Sequence, residues 1–337
     1  MDEQSELFLK RVRTGRIRDG HGDLHAGNIC FTADDIVIYD CIEFAARFRC
    51  SDVAADLAFL AMDLDQRCFR GFSSYLVHRY AQQAEDKDVV LLMPFYKAYR
   101  AMVRAKVSAM RSTSAGLNPE PREEAERDAM RYFHLAASYG MPPALVLMCG
   151  LPGTGKRWIA RRVGRPFEPV ILRSDATRKI LAGLSPRQRA AAGFREGLYS
   201  AEHTARTYVR LLEEAVGHLS EGRSVIVDAT FSRGEQRAPF IQAAADSRLP
   251  WAVIEVTCPE SVVRARLEQR AQDPNEISDA DQTVYLQARS TYEPPLEVEP
   301  SRLLSTASGE AVEALTGRLL DCLVLDLSAR EVSSPPH

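Results

Sequence analysis

A run of apolar residues at 144–149, ALVLMC, leads directly into the glycine-rich segment GLPGTGKR at 150–157. Three glycines allow the backbone to curl so that successive N–H groups converge on a phosphate, while Lys156 reaches the outer phosphates. The following stretch, Arg157–Val163, is helical in pattern, and its positive end adds to the attraction. This order predicts a phosphate-binding loop in an α/β domain. The predicted nucleotide-binding residues are Gly150, Leu151, Pro152, Gly153, Thr154, Gly155, Lys156 and Arg157.

Arg157 departs from the usual pattern of such loops. The position after the lysine is normally Ser or Thr, whose hydroxyl holds Mg²⁺, and here it is arginine followed by the bulky Trp158. The guanidinium could lie where the metal would lie, which would retain nucleotide affinity and weaken transfer. A nucleotide-binding or interaction module that has lost catalysis is therefore an alternative to an active enzyme.

The composition is that of an ordinary globular protein. The length of 337 residues suggests two domains. With 45% hydrophobic and 26% charged residues, the chain has ample apolar side chains for buried cores. A net charge of −3 gives no general attraction to nucleic acid or to a membrane surface. The seven cysteines include no CxxC pair, which argues against a disulfide framework or a zinc site. With a charged N-terminus and no apolar run of membrane length, we expect a cytoplasmic protein.

Two domains are predicted, with a boundary at Tyr139–Pro143, where glycine and proline interrupt a helical pattern. Residues 1–138 read as a short helix, a loop, a β-hairpin and then long helices. Residues 144–327 alternate strands and helices, which implies a parallel sheet with ligands at the carboxyl ends of its strands. Residues 328–337 are polar and are predicted to be a disordered tail.

Acidic residues follow two of the predicted strands of the second domain. Asp175 comes after PVILRS and could accept the proton of a substrate hydroxyl, although an Asp at this point is also a common helix cap. Arg178, one turn later, could hold an acidic substrate or a phosphate. Asp228 ends the strand SVIVD and has the position of the carboxylate that holds the Mg²⁺ shell in phosphate-loop enzymes.

A basic helical segment follows the strand WAVIEVTC. It carries Arg264, Arg266 and Arg270, the latter two one helical turn apart. Such a helix could form a lid over the transferring phosphates, because arginine is a fork-shaped donor suited to them. A surface helix salt-bridged with Glu268 is the alternative for any one of these arginines.

Residues 144–300 resemble the kinase branch of phosphate-loop proteins that includes zeta toxins, polynucleotide 5′-kinases and gluconate kinases. The resemblance rests on Lys156 in its loop, on SerAsp with Arg178, on ValAspAlaThrPhe and on the arginine helix. It implies that Lys156 stabilises the transferring phosphate, that Asp175 is the base and that Asp228 is the Mg²⁺ partner. It further implies that Arg270 or Arg266 acts from the lid.

The first domain carries a second motif, HGDLHAGN at 21–28, followed by Asp40 in IYDCIEF. It resembles the catalytic segment of aminoglycoside phosphotransferases and related small-molecule kinases. The resemblance implies that Asp23 accepts the substrate proton and that Asn28 and Asp40 hold Mg²⁺. Asp52 and Asp56 are interpreted as packing and hydrogen-bonding residues. Only about twenty residues precede the motif, too few for the upstream lobe that carries the phosphate lysine in such kinases.

Together, the two motifs resemble a bacterial family described as bifunctional aminoglycoside phosphotransferase and ATP-binding proteins. The expected fold is a mainly helical, kinase-like C-terminal lobe without its N-terminal lobe, followed by a parallel-sheet P-loop kinase domain. The expected function is ATP-dependent transfer of the γ-phosphoryl group to a hydroxyl of a small molecule, with ATP and Mg²⁺ as cofactors. A nucleic acid 5′-kinase is a further alternative, which the absence of net basic charge disfavours. Neither the acceptor nor the oligomeric state follows from the sequence.

Overall fold

The computed structural model describes residues 5–114, 118–185, 197–272, 282–307 and 310–333, without the side chains of residues 270–272 and 325–333. The chain divides after Gly140 into two compact units. No helix in the described ranges is both long and apolar enough to cross a membrane.

The first unit is mainly helical. Small residues on α3, among them Ala54, Ala58 and Ala61, are fully buried and allow neighbouring helices to approach closely. One cluster joins α3 to α4 and α5, and a second joins α3 to α5 and α6 through Phe59 and Tyr132. The helices are α1 (Ser5–Arg13), α2 (Ala46–Arg49), α3 (Val53–Gln66), α4 (Arg70–Gln83), α5 (Val89–Ser112) and α6 (Pro119–Ser138).

Two small antiparallel sheets complete the first unit. The predicted hairpin is confirmed, since β2 (Ile29–Phe31) pairs with β3 (Ile36–Ile38) across a turn. A pair that the sequence analysis did not predict joins β1 (Ile17–Asp19) to β4 (Cys50–Asp52), in register from Ile17 with Asp52. This pair brackets the HGDLHAGN segment between its two strands in the sequence.

The second unit is built on a five-stranded sheet, and the predicted parallel sheet is confirmed. The strand order is β6, β7, β5, β8, β9, and every neighbouring pair is parallel. β5 is buried along its whole length, as expected for a central parallel strand covered on both faces. The strands are β5 (Leu145–Cys149), β6 (Val170–Arg173), β7 (Val225–Asp228), β8 (Trp251–Thr257) and β9 (Leu303–Ala307).

Helices cover both faces of this sheet. Side chains such as Val146 and Ile254 pack on one face with α7 and α13, and side chains such as Leu147 and Val253 pack on the other with α9 and α10. The helices are α7 (Lys156–Val163), α8 (Ser174–Leu181), α9 (Ala201–Ser220), α10 (Gly234–Asp246), α11 (Glu260–Gln272), α12 (Gln282–Ser290) and α13 (Val312–Ser333).

The last helix extends into the segment that was predicted to be disordered. A disordered tail is predicted from residue 328, whereas α13 extends to Ser333; residues 334–337 lie outside the described residues. Leu315, Leu319 and Leu323 of α13 pack in the core with α7, so the helix begins from a buried stretch. A polar segment can continue a helix that is already nucleated, because each further residue adds a hydrogen bond without a new nucleation cost.

Candidate active site

The glycine loop follows β5 and precedes α7, as predicted. Gly150, Gly153 and Gly155 have φ values of 131°, 83° and 99°, a region that favours glycine. A Cβ at Gly150 would lie 2.4 Å from the carbonyl oxygen of Val256, and a Cβ at Gly153 would lie 2.9 Å from Val263. The sequence therefore needs glycine at these points both for the backbone turn and for close packing.

Lys156 lies over its own loop. Its Nζ donates to the carbonyl oxygens of Gly150 at 2.7 Å and Leu151 at 2.8 Å. The hydroxyl of Thr154, which is 3% exposed, donates to the same Leu151 carbonyl at 2.9 Å. The ammonium group is therefore held at the loop, next to the backbone that would surround a phosphate.

Two contacts fix the loop to other elements. The amide of Gly150 donates to the carbonyl oxygen of Thr230, two residues after β7, at 3.2 Å. From α11, Arg266 donates through Nη1 to the carbonyl oxygen of Thr154 at 3.4 Å. Arg266 thus contacts the phosphate loop, and a lid arginine would act at this loop.

The other two lid candidates have different surroundings. Arg264 forms a surface ion pair with Glu260 at 2.6 Å, and Arg289 of α12 binds the same carboxylate. Arg264 thus lies on a salt-bridged surface helix, as the alternative predicted, but its partner is Glu260 and not the predicted Glu268. The side chain of Arg270 lies outside the described residues.

Asp228 ends β7 in register with Met148 of β5 and Arg173 of β6, so it lies at the carboxyl edge of the sheet. Burial raises the pKa of its carboxyl group, and this outweighs the opposing attraction of nearby cations. These cations are Lys156, Arg173, Arg157 and Arg161. The carboxylate is therefore surrounded by positive charge.

The residues around Asp228 do not fit a magnesium ion held by the protein. Magnesium in such a loop takes a hydroxyl from the residue after the lysine and a carboxylate from the neighbouring strand. Here Asp228 supplies the carboxylate, but Arg157 stands in place of the hydroxyl, and the surrounding cations oppose a further positive ion. Within the described residues, no group of three or more His, Cys, Asp or Glu side chains is arranged to hold a metal.

Asp175 lies in the first turn of α8, directly after β6. Its Oδ2 is 3.6 Å from Arg173 and 3.8 Å from Lys179, one turn further along the helix. Lys179 is only 1% exposed, and the sequence analysis missed it because a lysine in a helix ordinarily faces solvent. Arg178 points elsewhere, with its guanidinium 4.7 Å from the ring centre of Tyr199.

The HGDLHAGN segment of the first unit is held by carboxylates from α3. Asp56 accepts hydrogen bonds from the amides of His21 at 2.7 Å and Gly22 at 2.9 Å. Asp52 caps α3 by accepting from Ala54 and is buried against Arg11 at 2.6 Å. The interpretation of Asp52 and Asp56 as packing and hydrogen-bonding residues is confirmed.

Within this segment, Asn28 donates to the carbonyl oxygen of Asp23 at 3.1 Å and is 6% exposed. The carboxylate of Asp23 remains about one-third exposed and lies 3.6 Å from Nε2 of His25. Its interaction with His25 lowers the pKa of Asp23, and Arg104 of α5 adds to the effect. Asp40 is exposed and has a φ of 63°.

The second unit is similar to a known family. Residues 145–295 match the family described as AAA domain. Over these residues, the second unit is similar to that family. The match begins at β5 and includes the phosphate loop, Asp175 and Asp228, and it does not include the first unit. The matched residues contain strands β5 to β8 and the loop at the carboxyl end of β5, whereas β9 lies beyond them.

The chain also has relatives over a longer region. It is 33% identical over 258 residues to an uncharacterized protein of Mycobacterium tuberculosis and to one of Mycobacterium bovis. The matches cover 76% of this chain and 50% of each relative, so the chain spans about half the length of the curated relatives that it matches.

The chain also has low-scoring similarities to solved kinase structures. A gluconokinase from Sinorhizobium meliloti is 15% identical with a TM-score of 0.40, covering 57% of this chain and 98% of its own. The APS kinase of Mycobacterium tuberculosis, in complex with AMPPNP and APS, is 20% identical with a TM-score of 0.39, covering 55% and 99%.

Proposed function

We propose that the second unit binds ATP at residues 150–157 and transfers the γ-phosphoryl group to a hydroxyl of a small molecule. The observation that carries the proposal is the phosphate loop itself. Gly150 and Gly153 have no room for a side chain, and Lys156 is held at 2.7 Å from the loop backbone. A loop of this form at the start of a helix is suited to bind an anionic phosphate chain.

In the proposed reaction, the acceptor hydroxyl oxygen forms a bond to the γ-phosphorus while the bond from that phosphorus to the β–γ bridging oxygen breaks. Asp175 takes the hydroxyl proton, and ADP leaves with the bridging oxygen. Positioning and charge neutralisation supply most of the rate. Lys156 and the other cations near Asp228 are the groups that would neutralise the phosphates.

Binding without transfer is a second candidate function, and a specific observation favours it. Arg157 stands where a metal-binding hydroxyl is expected, and it is one of the cations that act on Asp228. A guanidinium there would attract a triphosphate without a divalent cation. Magnesium, predicted from the resemblance, therefore enters the test as a variable.

For the first unit, we propose a phosphotransferase-like lobe in which Asp23 accepts a substrate proton. The support is the motif and the ordered backbone around it, with Asp56 holding the amides of His21 and Gly22. Asn28 and Asp40 offer oxygen donors, which suit magnesium, and they are its candidate ligands. The acceptor class of this unit is a separate question from that of the second unit.

The experiment is ATP titration by calorimetry, with Mg²⁺ and with EDTA, on the chain and on Lys156→Ala. We expect one site that is lost in Lys156→Ala; no binding by the unsubstituted chain would contradict the proposal. Residual binding in Lys156→Ala that disappears in Lys156→Ala/Asp40→Asn would identify a second site in the first unit.

Transfer is tested by release of ADP with a panel of sugars and other small hydroxyl compounds. A short 5′-hydroxyl oligonucleotide is included to test the nucleic acid kinase alternative. Asp175→Asn should reduce any transfer by about 10²-fold or more while leaving ATP affinity unchanged. A rate that survives this substitution would remove Asp175 as the base, and binding without transfer to any compound would favour the second candidate.

A further inference from the structure

Arg237 of α10 is a completely buried arginine outside the phosphate loop and the predicted site residues. It is 0% exposed, and its guanidinium donates to both carboxylate oxygens of Glu297, at 2.5 and 2.9 Å. A buried charge is costly unless all of its hydrogen-bonding groups are satisfied. The guanidinium of Arg237 also donates to backbone carbonyl oxygens in two loops. An ion pair with Glu297 alone would not need these additional bonds.

The first loop is the segment that follows β7. Nη1 of Arg237 donates to the carbonyl oxygen of Phe231 at 2.7 Å, and the amide of Phe231 donates to the hydroxyl of Tyr208 at 3.0 Å. Phe231 has a φ of 46°, which is unfavourable for an aromatic residue and persists only where the surroundings impose it. Tyr208 and Arg237 hold this residue from both ends.

Phe231 directly follows the residue that contacts the phosphate loop. The carbonyl oxygen of Thr230 accepts the amide of Gly150 at 3.2 Å. The direction of that carbonyl depends on the backbone turn at Phe231, because the two residues share a peptide bond. A continuous series of contacts thus runs from Glu297 through Arg237 and the turn to the first glycine of the phosphate loop.

The second loop is the segment after α12. Nη1 of Arg237 also donates to the carbonyl oxygen of Glu293 at 3.0 Å, and the Glu293 carboxylate accepts the amide of Gly234 at 3.0 Å. Tyr292 donates to Glu255 of β8 at 2.8 Å. The hydrogen bonds from Arg237 lower the pKa of Glu297, so the pair is ionised at neutral pH.

From these contacts, we infer that Arg237 is a positioning residue for the phosphate loop. Arg237 holds the backbone turn at Phe231, and this turn sets the direction of the Thr230 carbonyl oxygen that accepts the amide of Gly150. The inference rests on the proposed nucleotide binding. Among the contacts of the described residues, Arg237 bonds no residue of the phosphate loop. Its effect on that loop is therefore transmitted through Phe231 and Thr230.

The test compares ATP affinity of the folded chain, measured well below the melting temperature, in matched variants. Arg237→Lys can keep the ion pair with Glu297 but cannot bond the carboxylate and both carbonyl oxygens in one planar arrangement. Tyr208→Phe removes the other support of Phe231 and keeps the ring. We expect each to weaken ATP binding about fivefold, the equivalent of one hydrogen bond. The amide resonance of Gly150 should shift in both.

Two controls separate positioning from stability. Leu211→Ala removes a buried side chain from the core of the second unit and should lower the melting temperature with unchanged ATP affinity. Arg210→Lys changes an exposed arginine on α9, the helix that carries Tyr208 and Leu211. Unchanged affinity in Arg237→Lys, or in Tyr208→Phe if Arg237→Lys does not fold, would overturn the inference. No ATP binding by the unsubstituted chain would overturn the proposed function and this inference with it.

Discussion

The ammonium group of Lys156 donates to the carbonyl oxygen of Gly150 at 2.7 Å, so the two ends of the phosphate loop are joined directly. The arrangement depends on the absence of a side chain at Gly150, where a Cβ would lie 2.4 Å from the carbonyl oxygen of Val256.

Gly150→Ala should therefore abolish ATP binding and cost about 1–3 kcal/mol of stability, because the residue has a φ of 131°. Gly217→Ala is the matched control: Gly217 lies in α9 with no atom near its absent Cβ. That substitution should stabilise the chain by about 1 kcal/mol and leave binding unchanged. Calorimetric titration and thermal unfolding measure both effects, and a Gly150→Ala variant that binds ATP normally would contradict the loop assignment.

Arg157 should determine whether nucleotide binding depends on magnesium. In the unsubstituted chain, we expect similar ATP affinity with Mg²⁺ and with EDTA, because cations already surround Asp228. Arg157→Ser restores the usual hydroxyl and should make binding on the order of tenfold tighter with Mg²⁺ than with EDTA. Arg161→Ser removes another of these cations without placing a hydroxyl after the lysine, and it should show no such gain. A strong requirement for Mg²⁺ in the unsubstituted chain would refute this prediction.

The burial of Asp228 predicts a pH-dependent stability. Burial raises the pKa of Asp228 above its ordinary value of 3.8. The folded chain is therefore less stable when this carboxyl group is ionised than when it is protonated. The stability due to the protonated form is complete at low pH and is lost as the pH rises through the raised pKa. Asp228→Asn, without nucleotide, should therefore melt higher than the unsubstituted chain at neutral pH.

This difference in melting temperature should shrink as the solution is acidified, since both chains then carry an uncharged group at position 228. Thermal unfolding followed across acidic and neutral pH measures it. Asp246→Asn, at an exposed position of α10, controls for the loss of one negative charge. A lower melting temperature for Asp228→Asn at neutral pH would mean that attraction by the surrounding cations outweighs burial.

The first unit should depend on a buried ion network around Arg11. Arg11 is 2% exposed and donates to Asp52 and to Asp86, each at 2.6 Å. Arg11→Met removes the cation that binds both buried carboxylates and leaves Asp86 with only the more distant Arg16, at 3.7 Å, which should cost about 3–5 kcal/mol. Arg13→Met changes an exposed arginine of the same helix and should have little effect. Urea unfolding by far-UV circular dichroism, with hydrogen exchange in α1, tests the difference.

The local elements of the second unit follow from the sequence because their signals are local. Apolar runs that end at a glycine or an acidic residue predict β5 and β7, and the helix after the loop was predicted over Arg157–Val163 and is found over Lys156–Val163. The pairing of β1 with β4 was missed. Each has three residues, IRD and CSD, with no apolar alternation that would distinguish a strand.

Buried charges show why the rest could not be predicted. Arg237 is fully buried, its exposed partner Glu297 lies 60 positions away, and the residues next to Arg237 in the sequence do not indicate its burial. Lys179 and Arg178 are adjacent on α8, yet the first is almost fully buried and the second packs over Tyr199. Such pairings are decided by tertiary contacts, whereas the glycine loop carries its backbone requirement in its own residues.

Trp158, the bulky residue that follows Arg157, gives the chain an intrinsic optical reporter. Both tryptophans of the chain belong to the second unit. Trp251 is buried in β8, whereas Trp158 is 50% exposed with the guanidinium of Arg162 at 3.8 Å over its ring. Tryptophan emission therefore originates in the second unit alone, and a phosphate chain that arrives at Lys156, two residues away, would alter the electric field on an exposed indole.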